Sequence, residues 1–254
     1  MATIAITGSS SGIGAATRER LVRGGHRVLG IDLRNADVEA DLADERGRLQ
    51  AAAGVRDACG GQLGGLVVCA GVGPQFEPKA SIVSINYFGA QRLLAELREV
   101  LAAGGGAAVA VASNSATIPG METPLVEHCL TGDEAAARAL AAELMGQLVY
   151  AGSKLALARW VRRNAPRPEW AGAGVRLNAV APGAVLTPLL QAGLDDPVLG
   201  QAIRDFPIPT GGFGKPEQIA AAIELLLGPA AEFCCGSVLF VDGGTDAMLR
   251  PDTF

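Results

Sequence analysis

Short apolar runs recur along the chain, separated by stretches whose apolar positions repeat every three to four residues. Runs at residues 3–7, 27–32, 66–70, 107–113, 175–180 and 237–241 are rich in β-branched and small apolar side chains. They lack polar alternation, so they read as strands covered on both faces. A weaker strand candidate lies at 38–41. Intervening segments such as Ala15-Ala16-Thr17-Arg18-Glu19-Arg20-Leu21-Val22 carry helical periodicity, and Gly24-Gly25 supplies a stop. Strands alternating with helices require crossover connections. The pattern therefore predicts one doubly wound parallel α/β sheet, a Rossmann fold, in a single domain spanning 1–254.

One region exceeds the simple alternation. Between the run ending at Ser113 and the helix carrying Tyr150, residues 118–147 read as an insertion, a loop followed by a helix over the alanine-rich stretch 133–147. Thr131-Gly132-Asp133-Glu134 has the look of that helix's cap.

Composition narrows the function classes. With 254 residues, 49% of them apolar, the chain can bury a large core. A formal charge of −5 without a lysine or arginine run argues against nucleic acid or an anionic membrane as partner. Arg159, Arg162, Arg163 and Arg167 fit the solvated face and end of one helix. The five cysteines show no metal-ligand spacing and read as small reduced core residues, while His26 and His128 stand apart. No metal is expected. No apolar run approaches the ~20 residues that cross a bilayer, and no secretory leader pattern is seen, so a cytoplasmic enzyme is expected.

Three clusters carry candidate chemistry. Gly8, Gly12 and Gly14, with Ser11 and Ile13, lie where a strand turns into a helix, the place where a backbone without Cβ atoms can approach a pyrophosphate. Asp32 lies 24 positions beyond Gly8, near the ~20 at which a carboxylate grips the adenosine ribose diol. It would repel a 2′-phosphate, and the glycine turn offers only serines, so NAD is favoured over NADP; Arg34 is the one contrary residue. Tyr150 and Lys154 stand at i and i+4, on one face of a helix.

Taken in order, Thr7-Gly8-x-x-x-Gly12-Ile13-Gly14, Asp41-Leu42, Cys69-Ala70-Gly71, Asn86, Tyr150-x-x-x-Lys154, Pro182-Gly183 and Asp242-Gly243-Gly244 resemble the short-chain dehydrogenase/reductase family over essentially the whole chain. Gly30-Ile31-Asp32, Cys69 to Gln75, Asn86 to Ala90, Thr187 to Leu194 and Asp246 to Pro251 resemble its bacterial 3α-hydroxysteroid dehydrogenase/carbonyl reductase branch, which also carries an insertion before the tyrosine. The resemblance implies hydride transfer between NAD(H) and a secondary alcohol or ketone, a hydroxysteroid or another hydrophobic carbonyl compound. Tyr150 would relay the proton, Lys154 would lower its pKa and hold the nicotinamide ribose, and Asn86 would anchor a water. A hydroxyl after the fifth strand would hold the substrate oxygen. One alignment places Asn114 there, another Ser113; Ser113 is favoured over Ser115 because it ends the strand.

The same resemblance assigns Leu33, Asp41, Leu42, Ala70 and Gly71 to the adenosine side, and Pro182, Gly183, Val185 and Thr187 to the nicotinamide carboxamide. Met121, Leu125, Leu189, Leu190 and Phe206 are candidates for an apolar substrate wall. A non-catalytic dinucleotide-binding scaffold or redox sensor, and a lyase or epimerase on the same frame, are the alternatives. Because the insertion would cover the helical surface that builds the family's usual tetramer, a homodimer through the sheet edge and last helix is expected.

Overall fold

The computed structural model describes residues 1–253. Its strands are β1 (Thr3–Thr7), β2 (Arg27–Asp32), β3 (Val38–Glu39), β4 (Gly65–Val68), β5 (Ala107–Val111), β6 (Arg176–Pro182) and β7 (Val238–Val241). They form one sheet in the order β3-β2-β1-β4-β5-β6-β7, with every neighbouring pair parallel. The order reverses between β1 and β4, and in open α/β sheets that switch point is where ligands settle, at the carboxyl ends of the strands.

Helices cover both faces. Among them are α1 (Gly12–Arg23), α2 (Glu45–Cys59), α3 (Lys79–Val83) and α4 (Ala90–Ala103), followed by α5 (Leu125–Thr131), α6 (Glu134–Glu143), α7 (Gly146–Asn164), α8 (Pro188–Asp195), α9 (Gly200–Arg204), α10 (Pro216–Leu227) and α11 (Thr245–Leu249). Sequence explains them locally. In α4, Ala90, Leu93, Leu94, Leu97 and Leu101 fall on one stripe and are buried, and each fully buried leucine contributes roughly 1.5–3 kcal/mol. Helix α2 opens on Asp44, whose carboxylate accepts from the Gly47 amide at 2.8 Å, and stops at left-handed Gly60.

Several strand ends depart from the pattern-based boundaries. β4 stops at Val68 instead of 70, and β5 at Val111 instead of 113, because the chain leaves the sheet there to build the cleft. β6 runs on to Pro182. The 38–41 candidate shrinks to Val38–Glu39, leaving Asp41 in a turn where its carboxylate accepts from the Ala43 amide at 2.9 Å. β7 is half-buried along its whole length, not covered on both faces, because it is an edge strand with a single neighbour.

The inserted region differs too. It holds two helices, since α5 precedes the expected one, and α6 ends at Glu143. Leu144 and Met145 are extended, and Gly146 already belongs to α7. The cap is as read: Asp133 accepts from the Ala136 amide at 3.0 Å. Helix α5 packs on α7 at Gly152, where a Cβ would lie 3.1 Å from Leu125 Cδ2. Leu125 is therefore core, fully buried, and not part of a substrate wall. Of the cysteines only Cys59 and Cys129 are buried; all five are free, and Cys235 is exposed.

Arg48 locks this region to the sheet's other end. Its guanidinium is buried, donates to both carboxylate oxygens of Glu134 at 2.7 Å, and reaches the carbonyls of Leu42, Ala43 and Ser84. Helix α6, the Asp41-Leu42 turn and the segment leading to Asn86 thus share one planar cation. Sequence reading passed over this residue.

Candidate active site

Thr7 fixes the switch point. Its hydroxyl accepts from the amides of Cys69 and Ala70, both at 2.9 Å, joining the ends of β1 and β4. The chain then turns at Gly8 with φ +68, where a Cβ would meet Ala70 Cα at 2.9 Å. Gly14 is more constrained, since its Cβ would stand 2.0 Å from the Gly8 carbonyl oxygen. Gly8 and Gly14 therefore let the first turn of α1 close onto the strand end, while Gly12, at φ +52, faces Thr187, with the helix's free amides at the cleft. Such a cradle fits a pyrophosphate.

Asp32 ends β2 beside this turn. One carboxylate oxygen accepts from the Ser10 amide at 2.9 Å and the other from the Leu33 amide at 2.8 Å. Each oxygen keeps a second lone-pair direction for an incoming hydroxyl. Arg34 is exposed, and its carbonyl accepts from the Ser10 hydroxyl at 3.0 Å.

A cleft of about 470 Å³ opens over the carboxyl ends of the strands. Gly8, Ser11, Gly12, Ile13, Gly14, Ala70 and Gly71 line one side, and Pro182, Gly183, Val185 and Thr187 another. Ser113, Tyr150 and Lys154 stand between them, and Met121, Leu189, Leu190 and Phe206 supply apolar wall. Asp32, Leu33, Asp41, Leu42 and Asn86 do not line it. Leu33 is 62% exposed, Asp41 is exposed, and Leu42 is buried under the carbonyl that Arg48 holds. Val111 lines the cleft without having been picked out by sequence, since no motif chemistry marks it, and Cys69, named only as the start of the Cys69-Ala70-Gly71 motif, lines it too.

Ser113 lies just beyond β5, two residues past its last pairing. It caps a short 3₁₀ turn (Asn114–Thr117), its oxygen accepting from the Ser115 amide at 3.1 Å. Its hydroxyl also faces the phenol of Tyr150. Burial pushes the Tyr150 pKa up, and the Ser113 hydrogen bond pulls it back down. Asn114 turns its amide toward Asp242 at 3.4 Å, and the Ser115 hydroxyl is buried without a partner.

Lys154 is buried, and its ammonium donates to the Val111 carbonyl at 2.9 Å, 5.9 Å from the Tyr150 ring centre. Burial lowers its pKa to about 8, with the nearby Cys69 sulfur acting the other way. The same dry setting pushes the Cys69 thiol up to about 12, so it stays protonated. Lys154 and Tyr150 share one face of α7. The ammonium is engaged with a backbone carbonyl, and the hydroxyl acting on Tyr150 is that of Ser113.

Asn86 sits in a π-helical turn (Ser84–Gly89) before α4. Its amide pairs with Val72 in both directions, accepting at 2.9 Å and donating at 3.0 Å, and also donates to the Ser153 hydroxyl at 3.4 Å. The side chain thus braces the loop after β4 against α7. Such π turns are frequent at functional sites.

A switch-point cleft in which a glycine cradle meets a serine, a tyrosine and a lysine belongs to the oxidoreductase class of Rossmann proteins. The chain belongs to the short-chain dehydrogenase family. The short chain dehydrogenase model matches residues 2–125, and that of enoyl-(acyl carrier protein) reductase matches 145–246. The stretch between the two matches falls in α5 and α6. A 3-alpha-hydroxysteroid dehydrogenase/carbonyl reductase from Comamonas testosteroni is 46% identical, the alignment covering 100% of both chains. D-threitol dehydrogenase from Mycolicibacterium smegmatis is 33% identical over 94% of this chain and 90% of that one. The crystal structure of 3-alpha-hydroxysteroid dehydrogenase from Pseudomonas sp. B-0831 complexed with NADH superposes with a TM-score of 0.96 at 54% identity, covering 99% of this chain and 100% of the other. No helix of the described residues is long and apolar enough to cross a membrane.

Proposed function

We propose that this protein is an NAD(H)-dependent dehydrogenase/reductase that interconverts a secondary alcohol and a ketone, on a 3α-hydroxysteroid or another hydrophobic cyclic carbonyl compound. The observation that carries the reading is the convergence of Ser113, Tyr150 and Lys154 on the cleft that the glycine cradle opens into, beside an apolar wall. Gly8, Ser11, Gly12, Ile13 and Gly14 hold the pyrophosphate. Asp32 takes the ribose diol, while Leu33, Asp41, Leu42, Ala70 and Gly71 frame the adenosine. Pro182, Gly183, Val185 and Thr187 receive the carboxamide.

When bound, the nicotinamide supplies or takes up the hydride. Tyr150 holds the matching proton at Oη and exchanges it with the substrate oxygen, which Ser113 also hydrogen-bonds. Lys154 keeps a pKa near 8 and so remains mostly charged at neutral pH. Its ammonium has three donors, so it can keep Val111 and still reach the ribose hydroxyls. Because the Asn86 amide is already paired to Val72, its part in holding a proton-relaying water falls to its main chain.

The direct test is a screen of NAD+ reduction with steroid and non-steroid secondary alcohols. Rising nicotinamide absorbance with a 3α-hydroxysteroid or a cyclic alcohol is expected, and absence of turnover across the panel would reject the reading. Ser113→Ala is expected to lower kcat on the order of 100-fold, the cost of an oxyanion-type donor, and Ser115→Ala far less; the reverse order would move the role to Ser115. Asp32→Ala should weaken NADH and narrow its lead over NADPH, and a wild-type preference for NADPH would contradict the assignment.

The assembly belongs to the same proposal. Helix α5 covers the flank of α7 and α6 packs behind it on α5 and α3, while the β7 edge is half-buried and Phe233, Met248 and Leu249 expose apolar surface. We infer a homodimer through the β7 edge and α11 of a cytoplasmic protein. Light scattering should give twice the 25.8 kDa chain mass, and a tetramer would contradict it.

A further inference from the structure

Besides Asn114, whose amide is turned to Asp242, two amides interrupt the apolar wall of the cleft. Gln75 follows the loop after β4, and Gln147 lies in the first turn of α7; both line the cleft. Backbone packing joins their segments, because a Cβ on Gly146 would lie 1.9 Å from the Pro74 carbonyl oxygen. Only glycine permits that approach, and the residues that follow each contact point are Gln147 and Gln75. Three positions separate Gln147 from Tyr150, which puts both on one face of α7.

Neither amide is spent within the chain. Gln75 folds over Gly73, where a Cβ would stand 2.5 Å from its Oε1, and that oxygen is buried with no hydrogen-bond partner. The Gln147 side-chain amide makes no hydrogen bond among the described residues. With Oε1 shut in against Gly73, the Nε2 of Gln75 and the whole amide of Gln147 are the unpaired polar groups left open to a ligand in the cleft.

Charge narrows that partner. Lys154 is the one charged side chain among the described residues lining the cleft, and it stands at the reacting end. An amide offers both donors and an acceptor without net charge, which suits a hydroxyl or carbonyl. A carboxylate or phosphate would be desolvated there with no cation of its own.

Resting on the dehydrogenase/reductase reading above, we propose that Gln75 and Gln147 form a second polar subsite beside Tyr150 that binds a neutral oxygen of the substrate distinct from the one undergoing reaction. The substrate class is then a hydrophobic cyclic compound with two separated, uncharged oxygen functions.

The experiment compares kcat/KM for NADH-dependent reduction of cyclohexanone, 3- and 4-hydroxycyclohexanone, and 4-oxocyclohexanecarboxylate. Wild type should favour at least one hydroxyketone over cyclohexanone by about tenfold, a typical hydrogen-bond contribution to discrimination. The carboxylate should be the poorest. Gln75→Leu and Gln147→Leu should each pull the hydroxyketone-to-cyclohexanone ratio toward one, and Gln147→Arg should raise relative activity on the carboxylate. A wild-type ratio near one for both hydroxyketones would overturn the subsite without any variant, as would a ratio that both leucine variants retain. Failure to reduce any of these ketones while other carbonyl compounds are turned over would overturn the stated substrate class. Failure with every carbonyl compound would reject the parent reading, and the subsite with it.

Discussion

Tyr150→Phe is expected to lower kcat about 10³-fold, within the usual range for removing a general acid–base group, while NADH affinity stays near that of wild type. The ring and its place on α7 survive the change; the transferable proton and the hydroxyl facing Ser113 do not. Lys154→Met should behave differently and damage both kcat and NADH binding. Its ammonium holds the strand end through Val111, and it is also the group proposed to bind the ribose hydroxyls. Steady-state kinetics with a fluorescence titration of NADH separate the two cases. Tyr150→Phe that retained full turnover would remove the tyrosine from the mechanism.

A second large effect is expected far from the chemistry. Arg48→Met should destabilise the fold by about 3 kcal/mol, because removing one partner of a buried ion pair strands the other. Here Glu134, lowered in pKa by Arg48 against the opposing and largest effect of burial, would lose its bidentate partner. The carbonyls of Leu42, Ala43 and Ser84 would lose theirs as well. Chemical denaturation should show a lower midpoint, with NADH binding weakened through the Asp41-Leu42 turn. An unchanged midpoint would show that the network carries little net stability.

The three residues at the heart of these predictions were unequally legible. Tyr150 and Lys154 declare themselves by spacing, since four positions on a helix bring two side chains to one face whatever the tertiary packing. The sheet was legible for a similar reason: apolar runs without alternation can be satisfied only between two helical layers. Arg48 gives no such sign. Its burial depends on Glu134, which lies in another helix of the insertion, and no local pattern distinguishes it from a solvated arginine of α2. Helix α5 was missed because Leu125–Thr131 spans only about two turns and opens behind Pro124, too short for periodicity to rise above the surrounding loop. β7 reads like the central strands, yet it is an edge, because composition reports apolarity and not how many neighbours a strand finds. The Asn86 turn was also beyond reach, since Ser-Ile-Asn-Tyr-Phe-Gly has no feature that selects a π turn over an α turn. Ser113 is favoured over Ser115 in the sequence only by its place at the strand end; that its hydroxyl lies beside Tyr150 depends on where β5 leaves the sheet.

The most direct test of the central claim is isotopic. The enzyme would be supplied with NADH deuterated at nicotinamide C4, on one face or the other, together with a hydrophobic cyclic ketone, and the product alcohol analysed by mass spectrometry. Direct transfer in a fixed cleft, with the proton coming from Tyr150, predicts deuterium at the carbinol carbon from one labelled face only, with none exchanged into solvent. Product alcohol lacking the label from both faces, or carrying it equally from each, would contradict the account.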